Sequence, residues 1–138
     1  MISELMQKAF AAFFIALLFI VTGCGKPTIS KVEFGLGTKG EIVDTPVNIV
    51  SKDFKGLLTY HITWSSNLPS GTEIKFLWEM NKDGKWIAVF DPKSLSMDGK
   101  HYGAYSNYLG AKPMEIGAWR VSVSENGTKL REAYFTVQ

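Results

Sequence analysis

Gly117-Ala118-Trp119-Arg120-Val121-Ser122-Val123-Ser124-Glu125-Asn126-Gly127 decides the fold. From Trp119 to Ser124, large apolar and polar side chains alternate strictly. That period places Trp119, Val121 and Val123 on one face of a strand; a helix would need its apolar residues three and four apart. Asn126-Gly127 then supplies two residues that tolerate positive φ, the requirement of a tight hairpin. The chain returns through Phe135 and Val137. Leu130 is out of step with those two, so a single regular strand cannot turn all three inward. A β-bulge between Arg131 and Tyr134 is expected to restore the parity.

The same period runs through the rest of the chain. Val32, Phe34 and Leu36 alternate with Lys31, Glu33 and Gly35, and Leu58, Tyr60, Ile62 and Trp64 with Thr59, His61 and Thr63. Ile74, Phe76 and Trp78 form a third inward set, which Trp86, Ala88 and Phe90 continue beyond Asn81-Lys82-Asp83-Gly84. Each run is rich in β-branched and aromatic residues and bounded by Gly, Pro, Asn or Asp, while a helical period is nearly absent. The pattern predicts an all-β chain: a single immunoglobulin-like antiparallel β-sandwich of about seven strands over residues 29–138, with a small barrel as the alternative. Antibody domains clamp their sheets with a Cys–Cys pair against a tryptophan. This chain has one cysteine, Cys24, so its core must be held by packing.

Cys24 follows thirteen residues, Ala9 to Val21, without a charged or polar side chain. At ~1.5 Å per residue such a helix spans roughly 20 Å, short of the ~30 Å hydrocarbon core of a bilayer. Its length fits the apolar region of a signal peptide, with Lys8 and the α-amine giving positive charge upstream. Val21-Thr22-Gly23-Cys24 resembles the lipobox of bacterial lipoproteins. The resemblance implies a cleaved signal helix over residues 1–23, a lipidated Cys24, and a tether over residues 24–28. It also implies that acyl chains on the cysteine hold the protein to a bilayer, and two or more chains anchor stably where one does not. In Gram-negative members of that family, aspartate after the cysteine favours the inner membrane. Gly25 stands there, so the resemblance points to the outer membrane, facing the periplasm.

Removing residues 1–23 leaves 115, enough for one domain with a real core. The net charge stays at +2, because Lys8 and Glu4 leave together. The lysines are scattered, which argues against nucleic acid as a partner. Gly117 to Val123, then Gly127, Leu130 and Phe135-Thr136-Val137, resemble the closing hairpin of small Ig-like domains in bacterial lipoproteins. Val32-Glu33-Phe34-Gly35 and Ile62-Thr63-Trp64 are similar to the same group. These motifs are structural and bring no catalytic residues.

No stretch carries a recognisable catalytic pattern. Gly35-Leu36-Gly37-Thr38-Lys39-Gly40 spells a dinucleotide fingerprint, but a helix must start there to hold the pyrophosphate. Strand-like Glu41-Ile42-Val43 follows, so the segment reads as a glycine-rich strand connection and no cofactor is expected. A zinc site would need His61 and His101 to converge with Asp44, Glu79 or Asp98, and no spacing signals it; solvated histidines are expected. Ser65 and Ser66 lack the glycine frame of a nucleophile elbow. No spacing selects a carboxylate pair for glycosidic cleavage.

His101-Tyr102-Gly103-Ala104-Tyr105-Ser106-Asn107-Tyr108 is the most suggestive stretch. Tyr102, Tyr105, Tyr108 and His101 can form an amphipathic contact surface, or Tyr102 and Tyr108 can pack inward while Tyr105 covers an edge. The sequence thus leads to a membrane-anchored, non-enzymatic binding or structural module of the cell envelope, its partner an envelope protein or polysaccharide. Carbohydrate recognition, with Trp86 or the tyrosines exposed to stack on sugar rings, is the alternative, and an envelope hydrolase a third reading.

Overall fold

A computed structural model of the chain describes residues 25–38, 42–110 and 112–138. The signal helix expected over residues 1–23 and the lipidation expected at Cys24 fall outside the described residues. Among the described residues ten strands follow one another: β1 (Ile29–Thr38), β2 (Ile42–Pro46), β3 (Ile49–Val50), β4 (Leu57–Trp64), β5 (Glu73–Lys82), β6 (Lys85–Ala88), β7 (Lys93–Ser96), β8 (Gly103–Leu109), β9 (Gly117–Glu125) and β10 (Thr128–Val137). They form two sheets. One has the order β2-β1-β4-β8; the other runs β3-β10-β9-β5-β6, with β7 pairing the opposite end of β5 from β6. All pairs are antiparallel except β3 with β10. This is the immunoglobulin-like sandwich, with short strands β2, β3, β6 and β7 extending the edges.

The alternation sorts side chains as the pleat requires. Cross-strand partners share a face, so Phe34, Tyr60 and Ser106 form one inward row of the small sheet, and Leu36, Leu58 and Tyr108 the next. Opposite them stand Phe76 with Val123, Trp78 with Val121, and Met80 with Trp119 and Phe135. Leu58, Tyr60, Ile62, Phe76, Trp78, Val121 and Val123 are fully buried. The sheets meet through rings: Phe34 stacks on Phe135 at 5.0 Å, and Tyr60 meets Phe76 edge-on at 6.1 Å. Trp78 on β5 also donates its indole N–H to Ser106 Oγ on β8 at 2.9 Å, a polar tie across the sandwich.

Both tight hairpins have the expected chemistry. Asp83 and Gly84 take φ of 55° and 82°, Asn126 and Gly127 of 47° and 86°, and each pair closes a two-residue turn. Two local expectations need correction. The bulge in β10 falls between Lys129 and Arg131, not between Arg131 and Tyr134, so Leu130 is itself the extra residue and still packs against the core. Trp86 and Ala88 do not continue the inward set. The two-residue turn places Trp86 opposite Asn81 and Ala88 opposite Glu79, both on the outer face. Within the glycine-rich segment, Gly35 to Thr38 form the end of β1 and pair with β2. A Cβ added to Gly35 would lie 2.1 Å from the Thr45 carbonyl oxygen, and one added to Gly37 would lie 1.9 Å from Thr59 Oγ1. These glycines serve close backbone approach.

Candidate functional site

The suggestive segment forms the last strand of the small sheet and the turn leading into it. Asp98 Oδ1 accepts from the Lys100 backbone N–H at 2.8 Å and from His101 Nδ1 at 2.9 Å, while Gly99 takes φ of 81° between them. The next two carbonyls are fixed to the body of the protein: Leu68 N–H donates to His101 and Trp64 N–H to Tyr102. Backbone order thus comes from the fold, while the His101 and Tyr102 side chains remain exposed. The His101 hydrogen bond is the main reason the Asp98 carboxyl is held below the ordinary aspartate range, with the Lys100 amide second.

Across the outer face of this sheet, register aligns Glu33 on β1, His61 on β4 and Tyr105 on β8. His61 Nδ1 stands 3.5 Å from Glu33 Oε1, and Lys31 Nζ lies 3.2 Å from the same oxygen. Gly103 makes room for the imidazole: a Cβ there would sit 3.2 Å from His61 Nε2. Together His61, Thr63, Lys100, His101, Tyr102 and Tyr105 border an open groove of about 530 Å³. A smaller recess of about 220 Å³ lies beyond the edge of β8, against Leu95, Met97 and Ala104.

The structure therefore brings together three of the four residues singled out: His101, Tyr102 (57% exposed) and Tyr105 (39% exposed). Tyr108 is not among them. It turns inward against Trp78, Phe90 and Trp119, at 5.7, 6.0 and 5.8 Å, and burial pushes its hydroxyl pKa up. Parity links Tyr102 to Tyr108, but Tyr102 lies one residue before the strand and its side chain is exposed rather than packed inward. His61 joins the groove although its distance in sequence from His101 gave no sign of it.

Among the described residues, no group of three or more His, Cys, Asp or Glu side chains is arranged to hold a metal ion. Of the carboxylates considered for zinc, Asp98 meets His101, Asp44 lies on the opposite edge strand, and Glu79 is on the other sheet. The groove offers two phenol rings, two imidazoles and an ammonium group, a set suited to reversible contact.

A second cluster went unseen in the sequence. On the outer face of the large sheet, Arg120 Nε donates to Glu79 Oε1 at 2.8 Å, and its guanidinium lies 4.2 Å from the centre of the Trp86 ring. Tyr134 meets Trp86 edge-on at 6.0 Å and donates to Glu132. The signal was present in the Asp83-Gly84 turn, whose register sets residue 86 against residue 81.

No protein-family model matches the chain, and no curated protein matches it in sequence. Among solved structures, it is similar to an immunoglobulin-like protein from Pseudomonas aeruginosa, at 17% identity and a TM-score of 0.55, over 83% of this chain and 98% of that one. An alkylpurine DNA glycosylase from Pseudomonas fluorescens matches at 16% identity and 0.49, over 83% of this chain and 31% of its own length. A CARDB domain from Pyrococcus furiosus matches at 17% and 0.39, over 81% and 92%. At these identities the likeness concerns the fold alone.

Proposed function

We infer that this chain is a lipid-anchored module of the cell envelope that binds a partner without catalysis, through the groove of His101, Tyr102 and Tyr105. The observation that carries the reading is the exposure of both tyrosines beside two histidines and Lys100, on a backbone pinned by Leu68 and Trp64. Amphipathic rings on a rigid frame give contact area at little entropic cost. The Val21-Thr22-Gly23-Cys24 sequence supports the anchor, and Gly25 supports the outer membrane. Asp98, whose carboxyl is held low, does not suit the general-acid role that a hydrolase needs.

Two experiments test this reading. Metabolic labelling with a palmitate analogue is expected to mark the wild type and not Cys24→Ser; an unlabelled wild type rejects the anchor. Crosslinking in intact cells is then expected to lose its products in a Tyr102→Ala/Tyr105→Ala double variant that is folded by circular dichroism. Unchanged products reject the groove. The exposed Tyr102 ring also suits stacking on a sugar. In that case purified envelope polysaccharide alone retains the wild type and not the double variant.

A further inference from the structure

Edge strands carry rows of unpaired backbone groups, and proteins usually guard them with charges, prolines or shortness. The described edges of this sandwich follow that practice, with one exception. The β2 edge contains Asp44 and Pro46; β6 and β7 have four residues each and begin with Lys85 and Lys93; β3 has two residues. The β8 strand has seven residues and neither charge nor proline.

Its hydrogen-bond phase can be read from its two ends. Trp64 N–H donates to Tyr102 C=O, Gly110 N–H donates to Gly56 C=O, and the register with β4 is constant between them. In an antiparallel pair such bonds recur at every second residue. Residues 102, 104, 106, 108 and 110 therefore direct their backbone groups to β4. Gly103, Tyr105, Asn107 and Leu109 direct theirs away from it, and among the described residues no strand pairs with that side.

The recess of about 220 Å³ adds a second feature. It lies beside this edge, with Leu95 and Met97 on one wall and Ala104 on the other. A strand laid along β8 would turn alternate side chains into the recess and over Tyr105. Resting on the reading of the groove as a partner site, we propose that the partner is an extended polypeptide segment that adds as a fifth strand to β8 and lodges an aliphatic side chain in this recess. Backbone pairing supplies the attachment and the recess the selectivity. A second copy joined β8 to β8 satisfies the hydrogen bonds but not the recess. The inward side chains of its own β8, Ala104, Ser106 and Tyr108, already belong to its own core.

The test uses the full chain, isotope-labelled, in detergent micelles. The probe is a blocked seven-residue peptide of alternating threonine and valine, with a fully N-methylated copy that keeps the side chains and loses the donors. The amides of Gly103, Tyr105, Asn107 and Leu109 are expected to shift and to exchange about tenfold more slowly with the first peptide. Those of Ala104, Ser106 and Tyr108 should change little, and the methylated copy should have no effect. Unaltered exchange at the four outward amides in millimolar peptide overturns the proposal, as does an equal effect of the methylated copy. Protection that rises with protein concentration and without peptide also overturns it, in favour of a second copy. Tyrosine-dependent crosslinks in cells are read separately, so the groove can stand while the added strand fails.

Discussion

Tyr60 lies in the middle of β4 with no exposed surface, and its hydroxyl has no hydrogen-bond partner among the described residues. Burial drives its pKa far above the ordinary tyrosine value. A buried polar atom without a partner costs about 1–3 kcal/mol, so Tyr60→Phe should stabilise the sandwich by about 1 kcal/mol. Thermal unfolding is the check: the expected rise is roughly 4–8 °C, and a fall shows that the hydroxyl is bonded. Asp98, which lines the recess next to His101, provides a second prediction. Its carboxyl is favoured in the ionised form mainly by the His101 hydrogen bond. A carboxyl pKa depressed by folding adds stability above the ordinary value, here 3.8, and loses it as the pH falls through the lowered one. A carbon-detected titration should find the Asp98 midpoint below 3.8, and in His101→Ala that midpoint should move up towards it. An unmoved midpoint removes His101 as the cause. The sequence could show that residues 98 and 101 lie in a turn. It could not show that His61, from another strand, completes the same groove.

At the level of single strands, hydrogen-bond phase decides which substitutions are tolerated. Proline removes a donor, so on an edge strand it is accepted where the N–H faces outward and rejected where it joins the ladder. Asn107→Pro loses an outward N–H and the bond accepted from Thr59 Oγ1, and should cost about 1–2 kcal/mol. Ser106→Pro removes the N–H that pairs with Tyr60 and the hydroxyl that receives the Trp78 indole, and should cost 3 kcal/mol or more, ~3 being the usual penalty for an internal proline. Denaturant midpoints for the two variants, compared at equal slope, settle the order. A reversed order would mean that the phase of β8 is wrong. Much at this scale was legible in the sequence, because a buried face imposes a period of two. Alternation misleads where parity passes through an irregularity. The two-residue turn at Asp83-Gly84 reverses the face that alternation assigns to Trp86, and Leu130 is itself the inserted residue of β10. A bulge costs one residue of register wherever it falls, so parity alone detects it without locating it.

Across the whole molecule, what the sequence withheld is the pairing of distant strands. Alternation says which side of each strand is buried, but not that β1 lies beside β4, or that β7 pairs with β5 and not with β8. That pairing leaves the outer side of β8 without a strand among the described residues, so the candidate partner surface follows from long-range topology. The same topology explains how the sandwich holds together with no thiol within residues 29–138. Trp78 is the point of convergence: it is fully buried on β5, touches Phe34 and Tyr108 from the other sheet and Phe135 from its own, and donates to Ser106 across the gap. Trp86, eight positions later, lies on the outside under the Arg120 guanidinium. The two tryptophans therefore make opposed predictions. Trp78→Ala should cost about 3–5 kcal/mol through lost burial and the cavity left behind, a large share of the ~5–15 kcal/mol that stabilises a domain of this size. Trp86→Ala loses a cation–π contact and part of its covered surface, and should cost about 1 kcal/mol. Guanidinium melts of both variants decide the matter: similar midpoints would show that the aromatic cluster around Trp78 does not join the two sheets.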